Sequence, residues 1–546
     1  MTAIASRFGD LPGSAAKLWP NETAITFRHD KITFSQMAAE VDRTARALLA
    51  RGVRKGDVVG LWVTNCIEFT IALYATLRIG AIAAPMNTRY RENDLAYVLR
   101  LAECKLLFVV ERSGPIDYVD ILKTVLPGFD GKRFDGESTF PHLADVVVMS
   151  DVPSGAPCSW KRFLDEADRI SVDALQRACA EVRVDDIALI VFTSGTTGNP
   201  KGVMHDHTLL RSICERHDRW PLKEGSVVLN FLPMFHLYGM SEIVFGCMYT
   251  GARQILMDVW DAQTAVRLIQ SERVSGLHGF ETHYADILRV QEWLKADLSS
   301  LRFGSLPAGM ENSNAVAARV QKALCPTVSA WGMSEAGCAV CMSSLEDTEE
   351  QRCTTSGRPM ADIELRILDP ATRVERPCGV EGEIALRGYT VMRGYFRNPE
   401  ATAATITSDG WLLTGDRGYL RADGFVQFLG RYKEMLKVGG ENVSPSAVEQ
   451  ELLSLVPAIK QVAVVGVPDN RLNEVPCAYI VPHSGMECSL EDVKARCKGK
   501  IASFKIPHYV VTLNELPMTA SGKVQRLLLR ERALRELMAR TVEDAQ

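Results

Sequence analysis

The chain has 546 residues, well past the roughly 250 to 300 at which a single hydrophobic core stops growing, so more than one core is expected. Hydrophobic residues make up 47% and charged residues 24%, the usage of an ordinary soluble protein, which excludes a disordered chain and a fibre. A formal net charge of -5 does not suit a surface that neutralises a nucleic-acid backbone or an anionic membrane, so a small-molecule partner is favoured.

The 14 cysteines are scattered without the dense framework of small secreted domains and read as buried, reduced thiols. Cys338 and Cys341 form a CxxC with no second pair, so a metal or redox role is set aside. The first twenty residues lack a basic start followed by an apolar stretch; no secretory signal is expected, and the cytoplasm is the expected location.

In chain order, the spacing predicts a helix from a Ser35 cap to about Arg51, ended by Gly52, then a β-rich run DVVGLWV at 57–63. The rhythm repeats as a helix across 66–78, a stop at Gly80, the apolar AIAAPMN, a helix across 92–101 and a strand across 106–110. Such alternation predicts an α/β fold whose parallel-rich sheets are covered by helices. Residues 128–159, rich in Gly, Pro, Ser and Asp, show no period and read as a surface excursion. Residues 225–241 carry no Asp, Glu, Lys or Arg, but Asn230, Pro233, His236 and Gly239 interrupt them. A strand followed by a polar-lined loop fits that mixture better than a membrane span.

Near Gly379 the texture changes to short alternating runs, EIALRG and FVQFLG, separated by glycines, which suggests a small antiparallel barrel or sheet as a separate lobe. After Arg431 the chain restarts. Ser446 with Glu449 reads as a capping box, QVAVVGV and AYIVP as strands, and Ser489 as the start of another helix. A large N-terminal domain over 1–431 and a smaller C-terminal α/β domain over 432–546 are expected, with an active site in the cleft between them.

The densest chemistry is TSGTTGNPKG at 193–202, directly after the apolar strand run IALIVF. Glycines let backbone N–H groups turn toward an anion, hydroxyls add donors, and Lys201 supplies positive charge, a combination suited to polyphosphate. By spacing alone it could also be a plain glycine-rich turn. A Walker loop is excluded, because that motif needs Gly-Lys followed by Ser or Thr, whereas Pro200 precedes Lys201 and Gly202 follows it. His205 and His207 lie close in sequence without a third ligand, so a zinc site is rejected.

The loop resembles the phosphate loop of the adenylate-forming superfamily, which includes acyl-CoA synthetases, the adenylation domains of peptide synthetases and beetle luciferases. Five further motifs follow in that superfamily's order: PMFHLYGM at 233–240, AWGMSEAG at 330–337, GWLLTGDRGYL at 410–420, GRYKEMLKVGGENVSP at 430–445 and PMTASGK at 517–523. The resemblance implies an enzyme that turns a carboxylic acid and Mg-ATP into an acyl-adenylate and pyrophosphate, then passes the acyl group to CoA. It implies ATP contacts from Thr193, Ser194, Gly195, Thr196, Thr197, Gly198, Lys201, Gly309, Trp331, Gly332, Met333 and Ser334, which stands where threonine is more usual. Trp331 would offer adenine a flat face, and Glu335 would hold magnesium on the phosphates. Asp416 would accept from the ribose hydroxyls, with Arg431 as a second ribose or phosphate contact.

By the same resemblance, His236 lies at the floor of an acid pocket lined by Gly239, Gly279, Phe280, Ala308, Gly309 and Gly332. Lys523 would bridge carboxylate and α-phosphate during adenylation. Lys433 would be the hinge about which the C-terminal domain swings, presenting Lys437, Gly439 and Gly440 to the pantetheine arm of CoA. The nearest likeness within the superfamily is to ligases for medium-chain, alicyclic or aromatic acids, such as cyclohexanecarboxylate-CoA ligase. The segment SLPAGMENS departs from the more usual glycine-rich form, which leaves the shape of the pocket mouth open. No carrier domain follows Lys523 and the chain ends EDAQ without a peroxisomal SKL, so free CoA is favoured over a carrier-protein thiol, with a homodimer left open.

Overall fold

The structure, a computed structural model, describes residues 5–136, 138–149, 156–193, 200–308, 311–432, 435–438, 441–469, 472–498, 500–501, 503–519 and 523–543. The chain forms two units, one of residues 1–308, 316–365 and 385–413, the other of residues 309–315, 366–384 and 414–546.

Two large sheets carry the first unit. One has the order Lys201–Asp206, Ile187–Thr193, Ile82–Pro85, Val58–Trp62, Leu106–Val110, Asp145–Met149, all parallel except the first pair. Its inner strands are buried residue by residue, as helices on both faces require, which is why they read as unbroken apolar runs and not as alternation. The other has the order Thr327–Val328, Phe303–Ser305, Gly276–His278, Val227–Asn230, Arg253–Leu256, Thr23–Phe27, Asp30–Thr33, parallel except the last pair. The α/β architecture expected from the sequence is therefore present. A short antiparallel sheet of Ala330–Met333, Cys338–Met342 and Arg358–Pro359 completes the unit's strands that matter for the site.

Three local expectations are corrected. The first helix of the rhythm is Phe34–Ala50, capped not by Ser35 but by Thr33, whose side chain accepts from Gln36 N while the Gln36 side chain takes Thr33 N–H. That reciprocal Thr-x-x-Gln box satisfies two otherwise orphaned donors, so it places the cap two residues earlier. The 128–159 excursion contains a strand, Asp145–Met149, which pairs parallel to Leu106–Val110 at the sheet edge; five residues between polar stretches gave too short a run to show a period. Residues 225–241 fold as the strand Val227–Asn230 and the turn Leu237–Gly239, and no described helix is long and apolar enough to cross a membrane.

Downstream, Ile363–Leu368, Gly382–Gly388, Leu412–Leu420 and Val426–Arg431 form a four-stranded sheet in sequence order, in agreement with the alternating runs. In the second unit the strands Ile459–Asp469 and Asn473–Pro482 make a long hairpin. Leu436–Val438, itself paired with Glu441–Val443, and Tyr509–Thr512 add to Asn473–Pro482. Helices Pro445–Leu455 and Leu490–Cys497 bury Val448, Leu452 and Val493 on one face of this sheet, and Arg526–Glu543 buries Leu529 and Ala533 on the other. The third correction falls here: the cap of Pro445–Leu455 is Ser444, not Ser446. Pro445 at the first helical position fixes the start, and Glu449 turns inward instead of completing a capping box.

Candidate active site

Ile187–Thr193 and Lys201–Asp206 are an antiparallel hairpin with Thr193 opposite Lys201. The expected phosphate loop is its tip; Ser194, Gly195, Thr196, Thr197 and Gly198 lie outside the described residues. Strand, loop and strand differ from the strand, loop and helix of a Walker motif, in keeping with the sequence reading. The free edge of Lys201–Asp206 is lined by residues 393–396: Arg393 N donates to Met204 O at 2.8 Å and Phe396 N to Gly202 O at 2.7 Å. That edge pairing sets Tyr395 beside Lys201.

Lys201 Nζ lies 4.8 Å from the centre of the Tyr395 ring, within cation–π range. The Tyr395 hydroxyl donates to Glu335 Oε1 at 2.8 Å, and Glu335 is only 8% exposed. A cation, a phenol and a carboxylate thus form a chain at the base of the loop. Glu335 is held by its backbone, because Met392 N donates to Glu335 O at 2.8 Å and His205 Nε2 donates to Ser334 O at 2.7 Å. Burial pushes the His205 imidazole down to about 4, so the ring is neutral and serves this turn as a single donor. The strand Ala330–Met333 leads into the turn, with Trp331 buried opposite Cys341 and Met333 opposite Cys338. Gly332 is obligatory here, since a Cβ would sit 1.5 Å from Cys338 O.

The residues expected to line an acid pocket come together from three elements. His236 is half-buried with its ring 4.5 Å from that of Phe235, and it starts the turn Leu237–Gly239. Gly239 packs its Cα against the preceding loop: a Cβ would lie 2.7 Å from Pro233 O. Between them, Tyr238 puts its hydroxyl 2.6 Å from Ser305 Oγ and its ring edge on Phe280, 5.2 Å between centres. Ser305 Oγ in turn lies 2.9 Å from His278 Nδ1. Helix start, the Gly276–His278 end with Gly279 and Phe280, and the Phe303–Ser305 end leading to Ala308 are thereby tied together. Ala308 N donates to Ser329 Oγ at 2.9 Å; Gly309 lies outside the described residues.

In the second unit, Asp416 and Arg431 face each other across Leu412–Leu420 and Val426–Arg431, with Arg431 Nε donating to Asp416 Oδ1 at 2.9 Å. Asp416 is buried, and its N–H donates to Thr414 Oγ1 at 3.0 Å. Lys437 lies in the strand Leu436–Val438, while Lys433, Gly439 and Gly440 lie outside the described residues. Lys523 is exposed, its N–H donating to Thr519 Oγ1 at 3.0 Å and its carbonyl accepting from Thr519 N at 2.6 Å. Three residues later Arg526 opens the last helix and grips buried Glu449 at 2.7 and 2.8 Å. Glu449 also accepts from Val464 N at 2.7 Å, so the lysine's turn is anchored to the sheet.

The model of the AMP-binding enzyme family matches residues 14–396, and that of the AMP-binding enzyme C-terminal domain matches residues 448–523. This chain belongs to the AMP-binding enzyme family. It is 31% identical over 538 residues to YngI of Bacillus subtilis (strain 168), covering 97% of this chain and 98% of that one. It is 32% identical over 542 residues to the mitochondrial medium-chain acyl-CoA ligase ACSF2 of Homo sapiens, covering 96% and 87%. Among solved structures, the anthranilate CoA ligase AuaEII in complex with anthranoyl-AMP superposes with a TM-score of 0.82 at 26% identity, over 97% of this chain and 98% of that one.

Two residues that touch the candidate site residues escaped the sequence reading. Tyr395 belongs to no quoted motif and meets Glu335 across 60 positions; the edge pairing that delivers it leaves no local trace. Tyr238 sat inside PMFHLYGM, and its aromatic character between His236 and Gly239 was the available signal. His205 Nε2 donates to Ser334 O, whereas His207 Nδ1 accepts from Phe8 N at 3.2 Å. Cys338 and Cys341 form no disulfide, nor does any other cysteine among the described residues, and burial pushes Cys338 up to about 12.

Proposed function

We propose that this enzyme is an ATP-dependent acid-CoA ligase for a medium-chain, alicyclic or aryl acid. The observation that carries the reading is the Lys201–Tyr395–Glu335 chain at the base of the hairpin loop, a cation and a carboxylate fixed where a polyphosphate needs both. The names of its relatives support the acid class: ACSF2 is a medium-chain acyl-CoA ligase and AuaEII an aryl acid-CoA ligase. Glu335 offers a hard oxygen donor that fits Mg²⁺, which when bound would offset phosphate charge.

In the first half-reaction a carboxylate oxygen attacks the α-phosphorus of ATP, forming the acyl–O–P bond as the bond to pyrophosphate breaks. Two anions approach, so a point cation between them lowers the barrier most where charge builds, and this is the role of Lys523. Asp416 and Arg431 take the ribose, Trp331 the adenine, and His236 with the Tyr238–Phe280 wall orients the acid. In the second half-reaction the CoA thiol attacks the acyl carbonyl, and AMP leaves with the electron pair of the broken anhydride bond. Residues 432–546 act as the mobile part, hinged at Lys433, with Lys437, Gly439 and Gly440 facing the pantetheine arm. Cysteines without a disulfide among the described residues support a reducing compartment, for which the cytoplasm is our assignment.

The test is release of pyrophosphate and AMP from Mg-ATP with a panel of acids, with and without CoA. Acid-dependent pyrophosphate with CoA-dependent AMP is expected. Adenylate that transfers to a carrier-protein thiol but not to CoA would move the assignment to a different acceptor, and no pyrophosphate with any acid would end it.

A further inference from the structure

The helical segment that follows the acid-pocket motif is not a plain α-helix. Residues Met240–Phe245 are π-helical, between Leu237–Gly239 and Gly246–Thr250. Such turns form where a side chain inserts into the hydrogen-bond ladder, and they recur at functional sites. Here the inserting group is His217, from the helix Leu209–Asp218: its Nε2 lies 3.0 Å from Glu242 O, a carbonyl inside the π turn. A Cβ on Gly246 would lie 1.9 Å from that same nitrogen, so the glycine exists to seat the imidazole. Tyr74 does the same for a second carbonyl of the turn, its hydroxyl donating to Val244 O at 3.1 Å.

The other His217 nitrogen, Nδ1, lies 2.7 Å from Ile213 O. Both ring nitrogens therefore face backbone carbonyl oxygens, and the imidazole ties the helix Leu209–Asp218 to the π turn. The groups around it include Arg216, Trp220 and the Glu242 carboxylate, while neighbouring Asp218 is taken by the Tyr249 hydroxyl. Arg216, His217 and Glu242 are 0%, 1% and 2% exposed. Arg216 Nε donates to Glu242 Oε1 at 2.9 Å, and its Nη1 to Ala339 O at 3.1 Å. Ala339 is on the strand paired with Ala330–Met333, opposite Gly332. The knot thus joins the helix that begins at His236 to the strand pair that carries Trp331 and Glu335.

We propose that His217, buried and wedged against Gly246, is a positioning residue for the acid: it fixes the π turn and with it the register of His236, Tyr238 and Gly239 against the adenylate-binding strands. The inference rests on the ligase reading for its kinetic arm, whereas its structural arm stands on contacts alone. The test compares Gly246→Ala, His217→Ala and the double variant. Gly246→Ala should destabilise strongly, and removing the imidazole in the double variant should recover much of that loss, since the new methyl then occupies the vacated space. The folded double variant should raise KM for the acid about tenfold with KM for ATP unchanged, the size expected when one buried hydrogen-bond tie is lost. No stability recovery in the double variant, or acid and ATP constants that move together or not at all, would overturn the proposal. Failure of the wild type to turn over any acid would instead count against the ligase reading while leaving the stability comparison readable.

Discussion

At the scale of single residues, the site is built from groups whose neighbours set their task. Tyr395 is both the platform for Lys201 and the donor to Glu335, so Tyr395→Phe separates the two roles: the ring stays, the 2.8 Å hydrogen bond goes. A charge-assisted bond of this kind contributes roughly 1.5 to 3 kcal/mol, so adenylation should fall about 10- to 100-fold and the magnesium requirement should rise, read by pyrophosphate release against Mg²⁺ concentration. An unchanged magnesium curve would show that Glu335 is oriented without the phenol. Lys523→Ala should lower adenylation by at least about 100-fold while thiolation of supplied acyl-AMP survives, because the cation is needed only while two anions are brought together. Equal loss of both half-reactions would count against that division of labour. Lys523, Glu335 and Asp416 could be proposed from the sequence because each sits in a contiguous motif. Tyr395 was not, since a side chain delivered by edge pairing has no spacing signature.

At the scale of elements, helix Arg526–Glu543 is attached to the rest of its unit at its first turn by one buried carboxylate. Glu449 accepts from Arg526 Nη2 and from Val464 N. Glu449→Ala leaves a guanidinium and a buried amide without that acceptor, a loss of about 2 to 4 kcal/mol. The last helix should then lose hydrogen-exchange protection, with adenylation falling because Lys523 lies on the turn that feeds it, while protection of Ile187–Thr193 and Val58–Trp62 in the other unit is retained. Uniform loss of protection through both units would contradict this. The elements themselves were largely readable: unbroken apolar runs marked the buried strands, and glycine stops marked the helix ends. Their caps were not, at 33 and at 444, because Ser, Thr and Glu near a helix start satisfy several cap patterns at once. Only the packing of Glu449 against Val464 N and Arg526 decides that it is a clamp and not a cap partner.

At the scale of the whole molecule, burial keeps four imidazoles of the first unit neutral among the described residues. It holds His205, His207 and His283 down to about 4 and His278 to about 3, and each is tied to a different part of the unit: Ser334 O, Phe8 N, Phe280 N and Ser305 Oγ respectively. In the unfolded chain an ordinary histidine takes up its proton near 6.5, so between that value and the folded ones the unfolded state binds more protons. Stability must therefore rise with pH across this window and fall as the solution is acidified from 6.5. Four such groups give a slope of up to about 5 kcal/mol per pH unit between roughly pH 4.5 and 6. Glu242 acts lower down. Burial alone would raise its carboxyl, but Arg216 and His217 hold it at about 2, so its contribution is present above about 4.5 and is lost only as pH falls toward 2. The two effects have separate windows, which makes the histidine one measurable by itself. Urea midpoints of the full chain should be level from pH 8 to 7 and drop steeply from 6.5 to 5, and His278→Gln, which cannot take up a proton, should flatten part of that drop. A midpoint that held steady down to pH 5 would mean that these rings are reached by water or already charged, and that the turn carrying Glu335 is not braced by a neutral His205.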